Sequence, residues 1–347
     1  GVGLRTAAAL LTTWSPPDLI RRVQEGGEPR FGENPEHARA IQTLSDPALQ
    51  QKAAGECARH RDAGRSFCVP TDALYPEAFR ALPDPPMVLF FRGASASDRE
   101  SLAVVGTRMP TPSGVRNTRR FVSVIAGRGI TIVSGLARGI DTVAHQAALD
   151  AGGRTVAVLG SGLERIYPKE NYRIAERITE NGMLYSEFDP DQEALPHCFP
   201  MRNRLISALS QAVLVMEAPK KSGALITADL ALEQSKDVFA VPGNILTPQA
   251  QGPNRLIQEG AFCATSPEDI LEGMRWGTAA GQPVTTREAL KPEWEKVLAA
   301  LRDSESATLE DLAAVLPLEP GEVMSSLSAL EVRGYITSAS GRRWLKN

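Results

Sequence analysis

Residues 130–145 read ITIVSGLARGIDTVAH: a short β-branched run, a glycine turn, and the start of a helix that continues through QAALDAGG. The run lacks the polar alternation of a half-exposed strand. It therefore predicts a strand buried on both faces, the mark of a parallel sheet covered by helices. The same rhythm recurs on either side of it. SLAVVG, RTVAVLG, GMLYSE, QAVLVMEA and DVFAVPG read as further strands, and the segments near 113–127, 140–151, 169–181, 202–209 and 223–235 as helices. Strands alternating with helices in this way specify an α/β fold with a doubly wound, parallel, Rossmann-like sheet.

Working outward, this rhythm begins at MVLFFRG. Residues 1–65 hold helical runs broken by Pro and Gly and are expected to form a small helical domain. Its start, GVGLRTAAALLTTW, reads as the second half of a helix-hairpin-helix, or as an ordinary helix start in such a domain. Residues 66–274 make up the extended Rossmann-like domain, and 275–290 lose all periodicity and read as a linker. In 291–347, WEKVLAALRD, TLEDLAAVL and PGEVMSSLSALEVRG predict three helices, with Val323, Leu327 and Leu330 on one face of the third. GYITSASGRRWLKN follows as a two-stranded ribbon, which makes this end a winged-helix domain.

Composition narrows the function. The chain of 347 residues is 42% hydrophobic and 23% charged, as expected for globular domains. It has no apolar stretch near the roughly 20 residues that span a bilayer. It starts at Gly1 without Met, which suggests further residues upstream, and nothing in it signals export. Cys57, Cys68, Cys198 and Cys263 lie far apart, a usage that fits a reducing cytoplasm and argues against a disulfide framework or a zinc site. The net charge is -3, from 38 basic and 41 acidic residues, so any nucleic-acid binding must come from a local basic patch.

In a parallel sheet the ligand sits outside the carboxyl ends of the strands, where all the strand-to-helix turns meet. These turns supply Gly106 and Arg108 with Arg116 nearby, Gly135 in SGLARGID, and Gly160, Gly162, Lys169 and Tyr172 in LGSGLERIYPKENY. EAPKKSGALITA adds Ser222 and Gly223, and FPMRNRLI adds Arg202, Asn203 and Arg204. Glycines let a phosphate approach the backbone, and helix N-termini aim N–H groups and a positive dipole end at it. There is no G-x-G-x-x-G after the first strand and no Walker phosphate loop, so no dinucleotide cofactor is expected. Repeated glycine turns with Arg and Lys among them point to a ligand with several phosphates.

Ser134, Asp141 and His145 invite a catalytic-triad reading, because Asp141 and His145 are four apart on one helix. A nucleophilic Ser on such a sheet, however, sits in a G-x-S-x-G elbow, which is absent. Asp141 is more simply an acceptor for N–H groups at the helix start, and His145 a partly buried polar residue one turn on. Cys198 beside His197 is read as incidental, and no His, Cys and carboxylate cluster has metal-ligand spacing. No catalytic residue is expected.

VVGTR, IVSGLARGID with AH, VLGSGLERIYP with Asn171, FPMRNRLISALS, and SGALITA with AVPG, in this order and spacing, closely resemble the DNA-processing protein A family (DprA, also called Smf). The match runs from Tyr75 to about Leu271, and the two ends also match architectures seen in that family. The resemblance implies a cytoplasmic homodimer, without catalytic activity, that binds and protects single-stranded DNA and helps load the RecA recombinase during natural transformation. It places Arg108 and Lys169 in the DNA groove, with Arg202 and Arg204 lining or bracing it. Tyr172 is the candidate for base stacking. A basic track plus an aromatic is also what sequence-tolerant single-strand binding needs. For Arg108 and Arg204 a structural alternative stays open, a helix cap or a pair with a carboxylate such as Glu187.

The rival is an enzyme. At fold level the sheet and SGALITA resemble the nucleoside-monophosphate phosphoribohydrolases, with Glu233 acting on a ribose, but KKSGALIT replaces their P-G-G-x-G-T loop. The winged helix is a poor duplex reader, with 7 basic against 9 acidic residues from Lys291 to Asn347. Its third helix is expected to expose Ser325, Ser326, Ser328 and Glu331, and only Arg342, Arg343 and Lys346 in the wing are basic. A protein contact and a DNA contact both remain open for it.

Overall fold

A computed structural model describes residues 46–94, 100–276, 292–301, 307–332, 335–339 and 343–346. The chain divides between Ala279 and Ala280 into two compact units. The helix-hairpin-helix-like start, nearly all of the expected linker, and Arg342 lie outside the described residues.

The strands of the first unit are β1 (Ser66–Cys68), β2 (Leu89–Gly93), β3 (Ser101–Val105), β4 (Thr131–Ser134), β5 (Thr155–Val158), β6 (Met183–Ser186), β7 (Ala212–Val215), β8 (Asp237–Ala240) and β9 (Phe262–Cys263). Among its described residues the helices are α1 (Pro47–Asp62), α2 (Glu77–Arg80), α3 (Pro112–Gly127), α4 (Ile140–Asp150), α5 (Tyr172–Asn181), α6 (Cys198–Ala208), α7 (Gly223–Glu233), α8 (Gln251–Gln258) and α9 (Pro267–Gly273). The sheet order is β1-β2-β6-β5-β4-β3-β7-β8-β9. From β6 to β9 every pairing is parallel, as the apolar runs predicted. The edge differs: β2 runs antiparallel to β6, and β1 antiparallel to β2. The aromatic run of β2 thus pairs along the outer side of β6, which would otherwise be an open edge.

Period-two alternation explains the cores on the two faces of the sheet. Leu102 and Val104 of β3, Ile132 of β4 and Leu214 of β7 pack with Phe121 and Ile125 of α3 and Ile140 and Ala144 of α4. Ala103 and Val105, one residue out of phase, face the opposite side with Val213 and Val215, against Leu205 and Ile206 of α6 and Ala224 and Ala228 of α7. All five residues of β3 are buried, which is why its sequence shows no polar face. Helix α1 starts on Asp46, whose side chain accepts from Ala48 N, and carries His60 to within 5.0 Å of the Phe90 ring. The last helix of the expected 1–65 domain therefore rests on the β1–β2 edge.

The second unit has α10 (Pro292–Ala300), β10 (Ala307–Thr308), α11 (Leu309–Val315), α12 (Pro320–Val332), β11 (Ile336–Ala339) and β12 (Arg343–Lys346), with an antiparallel sheet of order β10-β12-β11. Val297, Leu312, Val323, Leu327, Leu330, Ile336 and Trp344 form its core. Thr308 and Asp311 close a capping box at the start of α11. Ser325 and Ser328 are exposed as expected, but Ser326 is buried. It stands three residues after Val323 and four before Leu330, inside the apolar stripe of α12. Among the described residues no helix is long and apolar enough to cross a membrane.

Candidate nucleic-acid interface

Strands β3 and β7 are neighbours, yet the chain leaves β3 toward β4 on one side and β7 toward β8 on the other. This is the switch point of a doubly wound sheet, where the turns diverge and leave a crevice. A cavity of about 290 Å³ opens there. Of the residues singled out from sequence it gathers Gly106, Arg108, Arg202, Asn203, Ser222 and Gly223, and it adds Thr107, Phe199 and Lys221.

Each wall has a local cause. Ser222 caps α7 by accepting from Ala224 N at 3.3 Å, so the α7 N-terminus faces the crevice. Behind the lining Thr111 caps α3 by accepting from Gly114 N, and Glu217, just past β7, accepts from Thr111 N at 2.8 Å. The floor is Arg202, 3% exposed, on the first half of α6. Its Nη1 donates to Gly135 O at 2.7 Å and to Val158 O, and its Nε to Asn203 Oδ1 at 3.2 Å. Burial pushes the guanidinium down to about 10, which leaves it charged at neutral pH. Asp141 accepts from Gly135 N at 3.1 Å and Ala137 N at 3.4 Å, and fixes the 135–139 turn. Burial raises its carboxyl above the ordinary range, and the Arg202 charge opposes that rise.

The mouth is built from cations and rings. The Arg108 guanidinium lies 5.0 Å from the Phe199 ring centroid, and Phe199 and Tyr167 are 5.8 Å apart at a tilt of 56°. Arg138 lies 5.7 Å from the Tyr167 centroid. Arg108 is exposed and no ion pair with a carboxylate is found for it among the described residues, so the carboxylate pairing left open for it is not seen. For Arg204 that alternative does hold. Arg204 donates from Nη1 and Nη2 to both Glu187 oxygens at 2.7 Å and from Nε to Asp84 at 2.9 Å, and it does not line the crevice. It braces α6.

The glycines of these turns also have a packing cause. A Cβ on Gly106 would meet Ile140 at 2.5 Å, on Gly135 the Arg202 guanidinium at 2.6 Å, on Gly160 the Phe199 ring at 2.9 Å, and on Gly162 Asp189 O at 2.1 Å. At these four positions protein atoms fill the space a side chain would take, and of the four Gly106 lines the crevice. Gly223 alone of the five has open space beside it, at the α7 N-terminus. Gly139, in the same turn as Gly135, has φ +79° and would place a Cβ 2.3 Å from Thr107 O. It lets the β3 and β4 turns touch.

Lys169, on the turn between β5 and α5, and Tyr172, the first residue of α5, are exposed and are not part of the crevice lining. Asn171 between them is buried and donates to Leu136 O at 2.9 Å and Thr142 Oγ1 at 2.8 Å, which ties that turn to the 135–139 turn. Ser134 Oγ donates to Val104 O at 2.6 Å, and His145 pairs with Thr155 at 2.7 Å, so neither faces the crevice. His145 is wholly buried, not partly. Phe199, Tyr167 and Lys221 stood inside the quoted motifs, and an aromatic beside a predicted basic turn was the signal that could have selected the first two.

A doubly wound sheet with a cation- and ring-lined crevice at its switch point defines a Rossmann-like binding protein. The chain belongs to the DNA recombination-mediator protein A family, whose model matches residues 66–275. It is 37% identical over 324 residues to protein Smf of Synechocystis, covering 82% of this chain and 81% of that one. To DNA processing protein DprA of Bacillus subtilis it is 42% identical over 217 residues, covering 62% and 73%. Among solved structures, DprA from Streptococcus pneumoniae superposes with a TM-score of 0.63 at 34% identity, over 78% of this chain and 93% of that one. DprA from Helicobacter pylori, described for its single-stranded DNA binding mode, gives 0.55 at 30% identity over 60% and 96%.

Proposed function

We propose that this chain binds single-stranded DNA along the crevice mouth, protects the strand and helps load RecA onto it during natural transformation, acting as a cytoplasmic homodimer without catalytic activity. The observation that carries the reading is the Arg108–Phe199 pair at the switch point: a cation for a phosphate and a ring for a base, in contact with each other. The single-strand binding described for the Helicobacter pylori relative supports it. Arg108 and Lys221 in the crevice and the exposed Lys169 before α5 supply the electrostatic track, Ser222 and Gly223 offer the α7 N-terminus, and Arg202 lies beneath. The ribohydrolase reading gains nothing from Glu233, which ends α7 about 15 Å from the helix start that faces the crevice.

The second unit is assigned a minor share of DNA affinity. Residues 291–347 are net acidic, and the exposed side of α12 carries Glu322, Met324, Ser325 and Ser328. In a winged-helix reading, a protein partner suits this surface better than duplex DNA does.

Arg108→Ala and Lys169→Ala are each expected to weaken single-strand binding while the α/β unit stays folded. Each should flatten the plot of log affinity against log salt by about 0.7, the value for one phosphate contact on a single strand. Unchanged affinity and slope in both variants would remove these residues from the site.

A further inference from the structure

Of the described arginines at the crevice mouth, Arg138 is the one held by a carboxylate. Its Nε and Nη2 both donate to Glu170, the latter at 3.2 Å, in an ion pair whose side chains are 51% and 54% exposed. The same guanidinium lies over Tyr167, 39% exposed, whose ring touches the Phe199 ring of the crevice mouth. Arg138 and Tyr167 therefore repeat, one step outward, the pairing of Arg108 with Phe199. The 56° tilt between the two rings leaves Tyr167 a surface of its own.

We propose that Arg138 and Tyr167 form a second nucleotide station on the strand path, and that Glu170 is the carboxylate a DNA phosphate displaces from Arg138. The assignment rests on the single-strand reading above and extends it. A guanidinium fork accepts carboxylate and phosphate in the same two-pronged way. The pair is exposed, so water and salt already weaken it and little opposes its exchange. Until a strand arrives, Glu170 holds Arg138 extended over the ring, near where the strand needs it. Glu170 also sets a negative charge next in sequence to Lys169, so it lowers affinity for any polyanion that cannot reach Arg138. The Glu170 carboxyl is held below the ordinary range by its bond to Arg138, so it stays ionised and competes with phosphate at every pH near neutral.

The test is binding of a fluorescent oligothymidylate of about 20 nucleotides to the full chain at several salt concentrations. Glu170→Gln should bind about threefold tighter or better with a slope changed by much less than about 0.7, because Arg138 meets the same phosphate in both proteins and no carboxylate has to be displaced. Arg138→Gln should bind more weakly with a shallower slope, and adding it to Glu170→Gln should cancel the gain. Tyr167→Leu should weaken binding about fivefold or more with the slope unchanged, since stacking releases no counterions. If Glu170→Gln binds no tighter than wild type, or the gain survives loss of Arg138, while Arg108→Ala still weakens binding, the second station is wrong and the single-strand reading stands. If wild type does not bind the oligonucleotide, or Arg108→Ala and Lys169→Ala both leave its binding unchanged, both fall together.

Discussion

Replacing Arg202 with Met is expected to destabilise the α/β unit by about 3–5 kcal/mol, the largest effect of any single change near the crevice. Met fills much of the same volume and is apolar, so the loss is not one of packing. It leaves Gly135 O and Val158 O without their donor and removes the buried charge that opposes the desolvation of Asp141. An unsatisfied buried acceptor costs about 1–3 kcal/mol and an uncompensated buried charge more. Combining Arg202→Met with Asp141→Asn should recover part of the loss, because the amide needs no counter-charge. Urea unfolding of the single and double variants measures both. A single variant within about 1 kcal/mol of wild type would mean that the crevice floor is not organised by this guanidinium.

Acidification should destabilise the same unit through His145. The Thr155 hydroxyl donates its one proton to Ile132 O, so His145 Nδ1 must be the donor toward Thr155, and its other nitrogen, Nε2, is buried without a partner. Protonating Nε2 would create a charged donor in the core, with the positive Arg202 acting on it. Burial first, and that charge second, lower the imidazole from 6.5 to about 3. The folded value lies below the unfolded one, so the unfolded chain binds the extra proton between these limits. The stabilisation is whole above about pH 6.5 and is lost as pH falls toward 3. By pH 4 this one residue should cost about 3 kcal/mol. His145→Leu cannot titrate, so its stability curve should fall less steeply than wild type over that window. Parallel curves from pH 7 to pH 4 would contradict the assignment.

The parallel strands were legible because burial on both faces writes itself as unbroken apolar runs, SLAVVG and AVLV among them. The antiparallel edge was not, since LFFRG looks the same whichever way its partner runs. The crevice residues Arg108, Asn203, Ser222 and Gly223 could be chosen because the turns of such a sheet converge, a consequence of topology alone. What the glycines of those turns do could not be read. Gly135 and Gly160 make room for Arg202 and Phe199, residues 67 and 39 positions on, and no local pattern reports so distant a contact. The role of Arg204 was open for the same reason, as its carboxylates come from Asp84 and Glu187. Ser326 was misplaced by treating all serines of α12 as surface, although its spacing from Val323 and Leu330 put it on the apolar stripe.

The central claim is that the crevice mouth of the α/β unit is a single-strand DNA site. A salt titration of the full chain against matched single- and double-stranded oligonucleotides, with a mononucleotide as competitor, tests it most directly. The account predicts tighter binding of the single strand, and a log–log slope that reports several phosphate contacts at about 0.7 each. It also predicts only weak competition by the mononucleotide, which can fill one station at most. Duplex bound as tightly as the single strand, or a mononucleotide that displaces the oligonucleotide at comparable concentration, would contradict it.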